Sequence, residues 1–265
     1  MRAVKKHTDN KWILLYTQRW LKAPMKMPDG TLKARDKGVP QGGVISPVLS
    51  NLFLHYVFDV WVSRKYPDVP WCRYADDGLL HCRTEEQAEE VLLELGQRFN
   101  ECKLELHPDK TKIVYCKDGS RKGEYKETQF DFLGYTFRRR KAKNRKTNSI
   151  FINFSPAVSK KALKAMRAKV RQSNIRNSTN LELKDISNWF NPILRGWIQY
   201  YGKYYPSELY SVFRHFNMTL VAWVRRKYKR FQRHKTRASN FLQEIAKREP
   251  QLFAHWKIGM IGAFA

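Results

Sequence analysis

Asp76 and Asp77 stand side by side in RYADDGLLHC, Arg73 to Cys82, within a chain whose formal net charge is +27. Two readings compete for such a pair. Asp-Gly is favoured in two-residue hairpin loops, so the acids can be turn chemistry. Clustered carboxylates on a strand end can also hold Mg²⁺, a hard cation bound by one or two carboxylates plus substrate phosphates. Tyr-x-Asp-Asp is weak alone. A second cluster lies about 35 residues upstream, GVPQGGVISPVLSN, Gly38 to Asn51. Gly42 and Gly43 let the backbone approach a ligand, ahead of a helix N-terminus whose free amides favour phosphate. A tight turn into a buried helix explains the glycines about as well. A third cluster is cationic: Arg225, Arg226, Lys227, Lys229 and Arg230 beside Trp223, Tyr228 and Phe231. It offers charge and stacking to a polyanion, and its plain alternative is a solvated basic face.

The elements that position these clusters follow from periodicity and caps. Residues 2–22 read as a helix with Val4, Trp12, Leu14, Leu15 and Trp20 inward, followed by a polar turn with Asp29-Gly30 as a hairpin tip. Ser46-Pro47 reads as a cap and first turn. The helix it opens places Val48, Leu49, Leu52, Phe53, Tyr56, Val57, Val60 and Trp61 on one wide core face, with Asp59 its only charge before Arg64. Thr84 to Gln87 forms a capping box. LELHPDKTKIVYC reads as strand, turn, strand, and FDFLGYTF as a hairpin with glycine at its centre. RRRKAKNRKTNS, Arg138 to Ser149, is expected to be mobile and to mark a domain boundary; beyond Pro156 the chain reads as helical. Strands alternating with packed helices make this an α+β fold.

Composition narrows the partners. With 42% hydrophobic and 14% aromatic residues the chain can bury a real core, and no apolar run is long enough to span a membrane. No signal peptide is expected at the N-terminus. The four cysteines match neither zinc nor disulfide spacing and read as buried thiols in a reducing, cytoplasmic setting. Residues 1–115 hold 18 Lys and Arg against 15 Asp and Glu, whereas residues 116–265 hold 33 against 9. The second part therefore carries a polyanion footprint. A membrane surface is the competing partner, and aromatics interleaved with the cations favour nucleic acid.

Taken in order, PQG, a helix, YADD, a capped amphipathic helix, HPDKT and FLGY form a set that resembles the palm of a reverse transcriptase. LRGWIQYYGKYY is similar to the thumb or maturase segment of the bacterial group II intron-encoded reverse transcriptases. The resemblance implies a partial palm at 1–137 and an α-helical, RNA-binding thumb or maturase domain at 138–265. It implies that Asp76 ligates two Mg²⁺ ions and that Asp77 lies near the primer end. By the same resemblance Pro40, Gln41 and Gly42 contact the incoming nucleotide, and Lys110 protonates the leaving pyrophosphate. Phe132, Leu133 and Gly134 would steer the primer terminus. Lys110 has a plain alternative as a solvated turn lysine, and the FLG residues as a core hairpin.

One departure matters. The family needs a third carboxylate on an earlier strand, and the acids before PQG are Asp9, Asp29 and Asp36, none in an apolar strand. The chain is thus expected to lack the fingers and the first catalytic strand, and to be inactive in polymerisation alone. The implied partners are intron RNA, a DNA primer, deoxynucleoside triphosphates and a separately encoded N-terminal piece. No membrane and no endonuclease domain are expected. An RNA-binding maturase without catalysis and a degenerate remnant are the competing functions.

Overall fold

Asn10 accepts hydrogen bonds from the amides of Trp12 and Ile13, a side-chain cap that starts a new helix and divides the expected N-terminal one. The segment forms α1 (Arg2–Lys5) and α2 (Lys11–Lys22). Of the five apolar positions expected inward, Val4 is buried and Leu14 half-buried, while Trp12, Leu15 and Trp20 are exposed. The computed structural model describes residues 1–35, 38–39, 42–144 and 146–261. It divides into two units, Met1–Ile113 and Val114–Ala265; that division falls ahead of the basic run at 138–149.

In the first unit, β1 (Met25–Lys26) and β2 (Leu32–Lys33) pair antiparallel around the Asp29-Gly30 tip, where Gly30 has φ +87°. α3 (Ser46–Leu54), a π-helical segment (His55–Asp59) and α4 (Val60–Lys65) succeed one another without a break. Ser46 is the first helical residue rather than the cap, which is Ile45 and makes no side-chain bond. The expected core face is also displaced. A π turn holds one residue more than an α turn and rotates the helix beyond it. Val57, Phe58 and Val62 are buried, whereas Val48 and Phe53 are exposed.

β3 (Trp71–Tyr74) and β4 (Asp77–Leu80) pair antiparallel. The Thr84 hydroxyl accepts from the Gln87 amide at 3.2 Å and caps α5 (Glu85–Glu101). Phe58, Val62 and Leu95 form the buried core here, ringed by Trp61, Trp71, Leu80, Phe99 and Leu106. LELHPDKTKIVYC forms no strand ladder among the described residues. Leu106 packs onto this core instead of pairing in a sheet.

The second unit opens with a three-stranded antiparallel sheet, β5 (Gln129–Phe132), β6 (Tyr135–Lys143) and β7 (Ile150–Val158), in that order. The basic run expected to be mobile supplies the second half of β6, held in register with β7 as far as Lys143 opposite Ile150. Ser159 caps α6 (Lys160–Gln172), and Glu182 with Asp185 forms a capping box on α7 (Leu183–Tyr201). α8 (Tyr210–Lys227), α9 (Lys235–Arg248) and α10 (Ala254–Lys257) complete a helical layer. Its core includes Phe190, Phe213, Phe216, Trp223, Phe253 and Trp256, all fully buried. The α+β class holds. No helix among the described residues is long and apolar enough to cross a membrane. All four cysteines are free, but Cys72 is exposed on β3 and the others are half-buried, so the expected burial fails.

Candidate functional site

Tyr74 pairs with Asp77, which leaves Ala75 and Asp76 as the two-residue loop of the β3–β4 hairpin. The Asp-Gly turn read from the sequence is therefore displaced: Asp77 and Gly78 lie in β4. Ala75 has φ +53°, positive for a residue that is not glycine. Alanine in the left-handed region costs on the order of 1 kcal/mol, so the turn needs support from its surroundings. Gly78 serves packing rather than turning. A Cβ there would lie 3.3 Å from Phe58 Cζ, in a ring already in edge contact with Trp71. Both aspartates are exposed at the tip.

Support for the turn comes from Arg73, which the sequence reading did not single out. Its Nε and Nη2 donate to Asp59 Oδ1 and Oδ2 at 2.6 and 2.8 Å, and Nη1 donates to Asn51 Oδ1 at 2.9 Å and to the Ala75 carbonyl at 2.7 Å. The Arg73 and Asp59 side chains are only 11% and 16% exposed. Hydrogen bonding from Arg73 holds the Asp59 carboxyl below its ordinary pKa, and His55 adds to this. One guanidinium thus ties the aspartate turn to α3 and to the π-helical segment. The available signal was Asp59, a lone acid in an apolar stretch, with an arginine two residues before the turn.

Two exposed carboxylates offer hard oxygen donors that fit a divalent cation also taking phosphate oxygens. Among the described residues no group of three or more His, Cys, Asp or Glu could hold a metal ion. Asp9 is exposed between α1 and α2, and Asp29 accepts from the Thr31 amide and hydroxyl within its own turn. Pro40, Gln41 and Asp36 lie outside the described residues. Gly42 has φ +83°, a conformation that suits glycine, with open space where a Cβ would stand. Lys110 is exposed in a separate turn, closed by the Thr111 amide donating to the His107 carbonyl at 3.0 Å.

In the second unit Phe132 pairs with Tyr135, leaving Leu133 and Gly134 as a two-residue loop with φ +50° and +81°, the I′ pattern. Tyrosines from the end of α7 enclose it. Tyr200 Oη donates to the Leu133 carbonyl at 2.9 Å, and Tyr135 Oη donates to the Tyr200 carbonyl. A Cβ on Gly134 would lie 2.6 Å from Tyr201 Oη. The Tyr135 ring lies 5.4 to 5.9 Å from those of Tyr200, Tyr201 and Tyr204, and burial pushes the Tyr135 and Tyr201 hydroxyls up. FLGY and YYGKYY, more than 60 residues apart, are one packed assembly.

The cationic cluster divides. Arg226, Lys229 and Arg230 are exposed. Lys227 is committed to the fold: its Nζ donates to the carbonyls of Thr179 and Leu181 at 3.2 and 2.8 Å and to Glu182 Oε1 at 2.6 Å. Arg225 donates to the Gln232 carbonyl at 3.3 and 3.1 Å. Trp223 and Phe231 are buried in the core and Tyr228 is half-buried, so these aromatics pack the helices rather than wait for bases. Exposed rings in this unit lie elsewhere, at Tyr125, Phe151, Trp189, Tyr200, Tyr204 and Tyr210.

Two family models and one relative match the chain. The family model described as reverse transcriptase (RNA-dependent DNA polymerase) matches residues 1–137. The model described as group II intron, maturase-specific domain matches residues 163–240. The chain is also similar to Protein YkfC of Escherichia coli (strain K12), with 30% identity over 176 residues, covering 54% of this chain and 43% of that protein. It thus spans less than half the length of that relative. With more than half its residues matched by the first model and much of its helical layer, from α6 into α9, by the second, the chain belongs to the reverse transcriptases, as a group II intron reverse transcriptase/maturase.

Proposed function

We propose that the chain serves a group II intron as RNA-directed DNA polymerase and maturase, promoting splicing and mobility of the intron RNA in the cytoplasm. The observation that carries this reading is the exposed Asp76-Asp77 tip, fixed by Arg73, in a chain whose stretch after residue 115 is strongly cationic. Asp76 and Asp77 would hold Mg²⁺, whose chemistry when bound is activation of the primer 3′-hydroxyl and neutralisation of charge on the departing pyrophosphate. Gly42, with Pro40 and Gln41, would contact the incoming nucleotide. Lys110 would give a proton to pyrophosphate, and its exposure leaves the ammonium accessible for that role. Phe132, Leu133 and Gly134 would steer the primer end; the tyrosine enclosure around Leu133-Gly134 supports a fixed rather than a mobile turn. Arg226, Lys229 and Arg230 would contact intron RNA. The functional division would be 1–137 for polymerisation and 138–265 for thumb and maturase, a reading supported by the ranges matched above.

Two carboxylates do not make a complete two-metal site. The chain alone is therefore expected not to extend a primer, because constellations that act as a unit lose most of their power with one member gone. Activity would require a further polypeptide segment carrying the third acid. Primer extension on an RNA template with the purified chain checks this; robust extension by the chain alone would contradict the proposal. Maturation of RNA without polymerisation is the second reading. It is favoured by the contrast between an acid pair with no third acid beside it among the described residues and the well-packed, basic second unit.

A further inference from the structure

From Phe132 to Leu181 the chain contains 14 Lys and Arg and no Asp or Glu. The first part of this run is not a solvated tail. β6 and β7 stay paired from Tyr135 opposite Val158 to Lys143 opposite Ile150, whereas β5 stops pairing at Gln129 opposite Arg138. Beyond Arg138 the sheet continues as a two-stranded ribbon, about 20 Å long at the usual rise per residue. Its turn is ordered by Asn144, whose Oδ1 accepts from the Lys146 and Thr147 amides at 2.9 and 3.4 Å.

Side chains alternate along a strand, and the two faces of β6 have different fates. Arg140 is turned inward: its guanidinium pairs with Glu208 at 2.9 Å and lies over the Tyr205 ring, with only 7% of the side chain exposed. Tyr205 Oη also donates to the Lys141 carbonyl at 2.9 Å. The ribbon is thereby anchored through its back. On the other face Arg139, Lys141 and Lys143 are all exposed, and none has a carboxylate partner among the described residues. Same-face residues on a strand are roughly 7 Å apart, close to the step between successive phosphates of a nucleic-acid strand.

We infer that the β6–β7 ribbon is a binding arm for the phosphate backbone of duplex RNA, contacted by Arg139, Lys141 and Lys143. The inference rests on the nucleic-acid reading above and places a contact surface outside the α8 cluster. Edge protection by lysine, the plain reason for charge on a free strand, does not require three outward cations in succession on an anchored face. The turn is polar at Asn144, Lys146, Thr147, Asn148 and Ser149, but Ile150 and Phe151 beyond it are exposed and Ile150 stands opposite Lys143, so a membrane surface is the alternative that the test must separate.

The test uses the full chain and a 20-base-pair RNA duplex, with affinity measured against salt. R139Q/K141Q/K143Q is compared with wild type and with K11Q/K22Q/K26Q, a charge-matched variant of exposed lysines in the first unit. Removing one phosphate contact makes the log–log slope shallower by about 1. The ribbon variant is therefore expected to lose about 3 from its slope and to bind at least about tenfold more weakly, equally on an unrelated duplex. The control is expected to bind as wild type. A second measurement does not depend on how the variant folds: wild-type protein is digested with trypsin, and duplex RNA is expected to suppress cleavage after Arg139, Lys141 and Lys143. Unchanged affinity and slope in a folded ribbon variant, or unprotected cleavage, would overturn the inference while leaving the proposed function standing. Absence of duplex binding by wild type would overturn both. Ribbon-dependent binding to phosphatidylserine vesicles with RNA binding unaltered would reassign the arm to a membrane surface and so overturn the inference.

Discussion

Removing the Arg73 guanidinium would leave four acceptors behind, two of them on the largely buried Asp59 carboxylate. An unpaired charge at such a site costs more than an ordinary hydrogen bond contributes. Arg73→Met is expected to lower stability by about 2–3 kcal/mol, read by denaturant unfolding, and to speed hydrogen exchange at the amides of β3 and β4. Arg73→Lys should recover little, because an ammonium cannot span both Asp59 oxygens and the Ala75 carbonyl. Wild-type exchange in both variants would show that the turn holds itself. The pair also has a pH signature. The Asp59 carboxyl is depressed in the folded chain, so its contribution is present above the ordinary aspartate pKa near 4 and is lost as pH falls below it. Asp76 and Asp77 stand out in the sequence as candidate metal donors because carboxylate chemistry is local. Arg73 does not, since its partner is 14 residues away and meets it only once the π-helical segment and the hairpin have packed.

Hairpins and caps are only partly legible: the Asp77-Gly78 turn and the Ser46 cap are displaced, while others hold. The Leu133-Gly134 turn, the Asp29-Gly30 tip and the Thr84 cap all appear where turn and cap chemistry put them. Elements that depend on remote partners were read less well. The apolar stripe of α2 suggests burial, yet most of it is exposed. The π segment changes which side of the following helix faces inward, and no residue type announces it. RRRKAK shows no hydrophobic alternation because cations occupy both faces, so its strand is visible only through the register with β7. Gly134 tests the element-level account. Gly134→Ala imposes a side chain at φ +81° and brings its Cβ against Tyr201 Oη. A loss of about 2 kcal/mol is expected, measured as a fall in melting temperature. Tyr201→Phe in the same chain should return part of that loss by removing the clashing oxygen while leaving the backbone strain. No recovery in the double variant would mean that the turn does not sense the tyrosine.

At the scale of the whole molecule, charge and chemistry are divided along the chain. The near-neutral stretch up to residue 115 carries the aspartates, and the stretch after it carries nearly all the excess cation. A fully buried His255 lies in the second unit, its Nε2 2.6 Å from Asn217 Oδ1, and burial pushes its pKa down to about 3. A folded pKa below the ordinary value of about 6.5 means that its neutral form contributes fully above that value, and that this contribution is lost as pH falls toward 3. The expected slope from this group is up to about 1.4 kcal/mol per pH unit. Unfolding measured between about pH 7 and 4.5 should show it in wild type and not in His255→Gln; identical slopes would place the titration elsewhere. Such a group stabilises the basic layer near neutral pH, whereas the polymerisation proposed above would rest on the hairpin. The most direct measurement of that claim is primer extension by the chain supplemented with a polypeptide carrying the third acid proposed above, using wild type, Asp76→Asn and, as a control, Asp68→Asn. The expected result is extension by wild type and by the Asp68 variant, and none by Asp76→Asn, because asparagine keeps the shape of the tip and removes the charge that would balance the metal. Equal extension by Asp76→Asn would contradict the account.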